Sequence, residues 1–124
     1  MIFTGYFARG KLYIRENLVM ISIARYAPKG YKGFHLESLY PSPSLLSAYK
    51  NGSIHEAEYA SIYKQMLKEE VSPEQVVEQI AQMAGERPPV LVCYEKPTEF
   101  CHRHIVSEWL RQHGYDSSEY PIPK

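Results

Sequence analysis

The chain has 124 residues, enough for one hydrophobic core and too few for two, and is read as a single domain over residues 1–124. Basic and acidic residues balance at 14 each, so no global field draws the protein onto nucleic acid or an anionic membrane, and any nucleic-acid contact must be local. No apolar stretch approaches the roughly 20 residues that span a bilayer, and the start Met1-Ile2-Phe3-Thr4-Gly5-Tyr6 lacks the basic and apolar regions of a signal peptide, so a cytoplasmic location is expected.

Ile2 to Phe7 reads as a first strand, rich in apolar and aromatic residues, and Leu18 to Ala24 as a stronger second one, with an ambiguous link between them. Arg25 to Phe34 carries a proline and two glycines and reads as a loop leaving the second strand. A short helix is predicted over Pro43 to Tyr49, with Ser42 as N-cap and Pro43 at its first position. Ser53-Ile54-His55-Glu56 has the reciprocal capping pattern, which predicts a second helix from about Ile54 to Lys68. Ser72-Pro73-Glu74-Gln75 repeats the device. Val76, Val77, Ile80, Ala81 and Ala84 give that third helix an apolar stripe, ended by Gly85.

Val90 to Tyr94 follows as a buried strand, and then a helix from Glu99 to about Gln112, with Thr98 as N-cap and Gly114 as its stop. The tail from Tyr115 to Lys124 can add one short strand, which Pro121 and Pro123 confine to an edge. Strands separated by helices imply parallel pairing. The expected fold is therefore a small α/β sandwich with a mostly parallel sheet of about four strands flanked by helices.

The segment from Cys93 to His104 crowds ionisable side chains onto the turn between the last predicted strand and helix, and open α/β sheets bind ligands at such carboxyl ends. Cys101 is expected in the first turn of its helix, where free amides and the helix dipole favour an anion and lower a thiol pKa. It equally suits packing with Ile105 and Trp109. Cys93 ends an apolar strand and reads by itself as core. With Cys101 it can close a reversible disulfide, act as a thiol or supply soft ligands. Cys93, Cys101 and His102, with His104 nearby, have the chemistry for zinc or iron, although their spacing matches no familiar zinc motif. No cofactor is named by the sequence.

Glu95 is placed to act as a general base or to pair with Arg103. Arg25 ends the second strand at the same sheet edge, so Arg25, Arg103 and a helix start make an anion site for a phosphate, a nucleotide or a carboxylate; alternatively Arg25 caps Glu95 as a structural ion pair. Tyr6 and Arg9 follow the first strand and are expected to form another wall. Tyr6, Phe7, Tyr26, Tyr31 and Phe34 offer rings for stacking on a base or for rim packing.

Val90-Leu91-Val92-Cys93-Tyr94-Glu95-Lys96-Pro97 followed by Phe100-Cys101-His102-Arg103-His104 resembles the signature of the family called domain of unknown function 488. Phe3 to Ala8 and Ile21 to Arg25 are similar to that family's first two blocks, and Leu45 to Lys50 with Tyr59 and Tyr63 to its middle region. Where larger members read like His-Ser-Asn and Asp-Val-Arg, this chain has Tyr6-Phe7-Ala8 and Ile23-Ala24-Arg25, so only the arginine carries over and more weight falls on Glu95. The resemblance implies a compact α/β fold with site residues Arg25, Cys93, Glu95, Cys101, His102 and Arg103. It supplies no activity.

Three functions stay open on these residues. The first is a small enzyme that binds an anionic, phosphate- or nucleotide-like substrate through Arg25 and Arg103, with Cys101 or Cys93 as nucleophile or redox thiol and Glu95 or His102 moving the proton. The second is a metal-binding or thiol-sensing module without turnover. The third is a structural or interaction protein in which the motif is an ion-pair and packing cluster.

Overall fold

The structure of the protein is a computed structural model, and it describes residues 1–121. Five strands form one sheet in the order β3-β2-β4-β1-β5: β1 (Ile2–Tyr6), β2 (Val19–Ser22), β3 (Phe34–His35), β4 (Pro89–Cys93) and β5 (Ser117–Glu119). Every pairing is parallel. The α/β class holds, and the strand count is five rather than about four. The fifth comes from Phe34–His35, at the end of the segment read as a loop; two residues are too few to show a period, and the strand exists through its pairing with Ile21 and Ser22. The tail does supply an edge strand, β5 beside β1, while its last three residues lie outside the described residues.

Helices α1 (Gly10–Arg15), α2 (Pro43–Lys50), α3 (Glu56–Glu70), α4 (Pro73–Ala84) and α5 (His102–Gln112) connect the strands. Alternation along the central strand β4 divides the core in two. Leu91 packs on one face with Tyr63 and Leu67 of α3, Ile80 of α4 and Val106 and Leu110 of α5. Val90 and Val92 point the other way, onto Leu12 and Tyr13 of α1. The chain thus leaves β1 toward one face and the adjacent β4 toward the other at the carboxyl edge of the sheet, where Tyr6 and Cys93 are in register.

Two helix starts differ from expectation, each because a local bond takes the expected cap. Ser53 turns back to Asn51, whose Oδ1 accepts from its backbone N–H at 2.9 Å, so α3 begins at Glu56 with His55 as N-cap and a reciprocal bond from the His55 N–H to Glu58 at 3.1 Å. At the second site, a turn closed by the Glu99 N–H on the Lys96 carbonyl at 3.0 Å occupies the expected first turn. Cys101 is extended, at φ −152° and ψ 144°, and it rather than Thr98 is the residue before α5, which begins at His102. Ser42 and Ser72 cap α2 and α4 as expected, each accepting from the backbone N–H three residues on.

Gly5 in β1 lies under the Tyr13 ring, and a methyl added there falls 2.3 Å from the phenolic oxygen. That oxygen accepts the Tyr6 backbone N–H at 3.1 Å. Gly5→Ala must therefore expel a buried ring and orphan a buried donor, and a loss of about 2–3 kcal/mol is expected in denaturant unfolding.

Candidate functional site

β4 ends at Cys93 and α5 begins just beyond Cys101, so the turn between them brings both cysteines to the carboxyl edge, each 4 % exposed or less. Their sulfurs are joined as a disulfide, across a Cα separation of 7.4 Å. With His102 they form a compact group whose ligand atoms all lie within 4.8 Å of one another. His102 is buried, and its Nε2–H donates to the Ile23 carbonyl at 2.7 Å, which leaves Nδ1 without a proton and 3.9 Å from the Cys101 sulfur. Burial lowers its pKa to about 4, so it stays neutral near neutral pH.

Arg103, fully buried, is bound at three points. Its Nε and Nη2 donate to the two oxygens of Glu119 at 3.0 and 2.9 Å, and its Nη1 donates to the Cys93 sulfur at 3.2 Å. Tyr6 presents its ring to the same guanidinium, 5.7 Å from the centroid. Burial raises the Glu119 carboxyl, but the bonds from Arg103 and from the Thr4 hydroxyl, at 2.6 Å, outweigh it and hold the group below the usual glutamate range. Arg103 therefore pairs with Glu119 rather than with Glu95. Neither Glu119 nor Thr4 is marked by the motif. The signal for them was indirect, since a guanidinium on the apolar face of a helix requires a carboxylate from elsewhere.

A pocket of about 140 Å³ opens beside the sulfurs, lined by Arg25, Tyr49, Tyr59, Glu95, Phe100 and His102 together with both cysteines. Tyr49, Tyr59 and Phe100 pack on one another with centroids 5.2 to 5.6 Å apart and make one aromatic wall. Burial, and after it the charges of neighbouring glutamates including Glu95, raises both phenol pKa values, so the two hydroxyls stay protonated and able to donate. Arg25 stands at the rim. Its Nε donates to the Pro41 carbonyl at 2.9 Å and its guanidinium lies 5.5 Å from the Tyr40 ring centroid. Its two terminal nitrogens have no acceptor among the described residues. Arg25 thus forms no ion pair with Glu95, which is exposed and lines the same pocket.

The structure brings Arg25, Cys93, Glu95, Cys101 and His102 to one pocket and places Arg103 behind it. Tyr6 and Arg9 do not line it; the Arg9 Nε donates to the Tyr6 hydroxyl at 3.2 Å on the β1 side of the sheet. Of the rings proposed for stacking, only Tyr26 reaches the pocket, while Phe7 packs against Tyr31 and Tyr94. The aromatic wall of Tyr49, Tyr59 and Phe100 was missed as a wall, because it assembles from α2, α3 and the turn before α5.

No curated protein and no solved structure matches the chain. No helix among the described residues is long and apolar enough to cross a membrane. Residues 10–114, most of the chain and all of the Cys93–Arg103 turn, match the family model DUF488-N3a, described as the active DUF488-N3 subclade. The chain belongs to this branch of the domain of unknown function 488 family.

Proposed function

We propose that the protein is an enzyme of a reducing compartment, the cytoplasm, whose carboxyl-edge pocket takes a small anionic, phosphate- or nucleotide-like substrate and acts on it through a thiolate at Cys93. The observation that carries this reading is the Arg103 Nη1 donor 3.2 Å from the Cys93 sulfur, at the floor of a pocket with Arg25 on its rim. A buried guanidinium stabilises a thiolate and lowers its pKa, and Cys93 is the cysteine so served. Cys101, beside a neutral imidazole, is its resolving partner. Reduction of the pair by a dithiol takes two electrons and two protons and leaves both sulfurs free; the reductant leaves as its own disulfide. The terminal N–H groups of Arg25 and the phenols of Tyr49 and Tyr59 supply donors for an anion, and the ring wall suits a planar group. At about 140 Å³ the pocket encloses one ring-sized part of a ligand and leaves the remainder at the rim. The description of the matched subclade as active agrees with turnover.

Binding is tested on reduced protein with inorganic phosphate and with nucleoside monophosphates. A thermal shift that Arg25→Ala weakens about tenfold in apparent affinity is expected, and an Arg25→Ala protein that binds as well as wild type overturns the anion assignment.

A second reading is favoured by one observation, the Nε2–H bond of His102 to a backbone carbonyl, which aims an unprotonated Nδ1 at two sulfurs whose Cα spacing of 7.4 Å is wide for a disulfide. In that reading Cys93, Cys101 and His102 would hold a zinc or iron ion beside the pocket that they line. Metal content and thiol titre of freshly purified protein separate the two. Metal-free protein with one acidic thiol, lost in Cys93→Ser and kept in Cys101→Ala, is the expected result. Stoichiometric metal that is lost in Cys93→Ser establishes the second reading instead, and two inert thiols without metal remove both.

A further inference from the structure

The pair that holds Arg103 against the Cys93 sulfur reaches beyond the motif, into the last strand. Arg103 directs three of its five N–H groups at Glu119 and Cys93, and the two acceptors share a single positive charge. Glu119 is itself fixed by the Thr4 hydroxyl, across the β1–β5 pairing that sets Thr4 opposite Glu119. His104 and Tyr13 lie near Glu119, Cys101 and His102 lie near Cys93, and the ring of Tyr6 stands against the guanidinium. Arg25, Tyr26, Tyr49, Tyr59, Tyr94 and Glu95 line the pocket beside the Cys93 sulfur. Among the described residues Arg103 forms its ion pair with Glu119 and not with the exposed Glu95.

We propose that Glu119, on the C-terminal edge strand, is a positioning residue for the Cys93 thiol: its carboxylate orients the Arg103 guanidinium toward the sulfur and takes up most of its charge. The thiolate is thereby supported by a directed N–H bond rather than by a free cation. The edge strand β5 becomes part of the site through this one side chain. The inference rests on the reading of Cys93 as the reactive sulfur.

The chain has two cysteines, so Cys101→Ala leaves Cys93 as the only thiol, and its ionisation is followed directly by the ultraviolet absorbance of the thiolate. In that background Glu119→Gln keeps the size of the side chain but removes its charge. The sulfur then becomes the nearest group able to balance Arg103, and the ionisation midpoint is expected to fall by about one pH unit, a tenfold change in the ionisation constant. Arg103→Met with Glu119→Gln removes both charges, and the midpoint is expected to rise above that of the Cys101→Ala parent. If the double change raises the midpoint and Glu119→Gln leaves it unmoved or raises it, Arg103 acts on Cys93 without Glu119 and the inference fails. If neither moves it, the reading of Cys93 itself fails. Folding is checked by near-ultraviolet circular dichroism. Should Glu119→Gln not fold, Glu119→Asp, which withdraws the carboxylate by one methylene, is measured instead; a smaller downward shift supports the proposal, and no downward shift overturns it.

Discussion

Arg103→Met is expected to cost about 3 kcal/mol in denaturant unfolding and roughly 10 °C in melting temperature, the largest single-site loss in the α5 turn. The side chain is fully buried, and removing it strands the Glu119 carboxylate in a site built for a guanidinium. The loss lies at the lower end of what a broken buried pair costs, because the Glu119 side chain keeps 24 % exposure and water can reach it. Arg103→Met combined with Glu119→Gln should recover most of the loss, since replacing both charges leaves no stranded ion. A single change as costly as the double one would show that the stranded carboxylate is not the source of the loss, and that the contacts of the guanidinium with the Tyr6 ring and the Cys93 sulfur are.

Acid destabilisation through His102 is the second large effect. Its pKa is 6.5 in the unfolded chain and about 4 when folded, because burial penalises the imidazolium. Below pH 6.5 the unfolded state binds a proton that the folded state refuses, so stability is fully present above that pH and is lost as pH falls toward 4. The fall from 6.5 to about 4 corresponds to about 3 kcal/mol over this window. His102→Gln keeps a donor for the Ile23 carbonyl and carries no titrating ring, so it should lose less stability than wild type over the same range, the remaining loss coming from His104, whose pKa burial and the Arg103 charge also lower. Glu119 acts in a separate and lower window. Its depressed carboxyl pKa contributes stability above the ordinary glutamate value, and that contribution is lost only as pH falls further, through the folded value. Urea unfolding at half-unit pH steps resolves the two, and a wild-type profile flat from pH 6.5 to 4 would remove the His102 assignment.

Nearly all helices and the three longest strands were legible from periodicity and caps, because the relevant forces act within a few residues. The Ser42-Pro43 and Ser72-Pro73 starts and the Gly85 stop belong to this class. The helix at the site began three residues later than its Thr98 cap implied, since the turn at Lys96–Glu99 and the extended Cys101 depend on where β4 ends and on what Cys101 and His102 reach across the fold. β3, two residues long, exists only because β2 offers it an edge.

The sequence by itself determined the α/β class, the order of the four longer helices and the crowding of ionisable residues at the turn between Cys93 and Arg103, all of them consequences of side-chain period, capping and the polarity break after an apolar strand. Tertiary structure alone decided which partners those residues meet. It paired Arg103 with Glu119, sixteen residues on, and Glu119 with Thr4 at the opposite end of the chain. It directed the guanidinium to Cys93 rather than to Cys101, and it gathered Tyr49, Tyr59 and Phe100 from separate elements into one wall. The physical reason is that a buried charge specifies only that a counter-charge must be found, while the parallel register of β1, β4 and β5 fixes which residue supplies it.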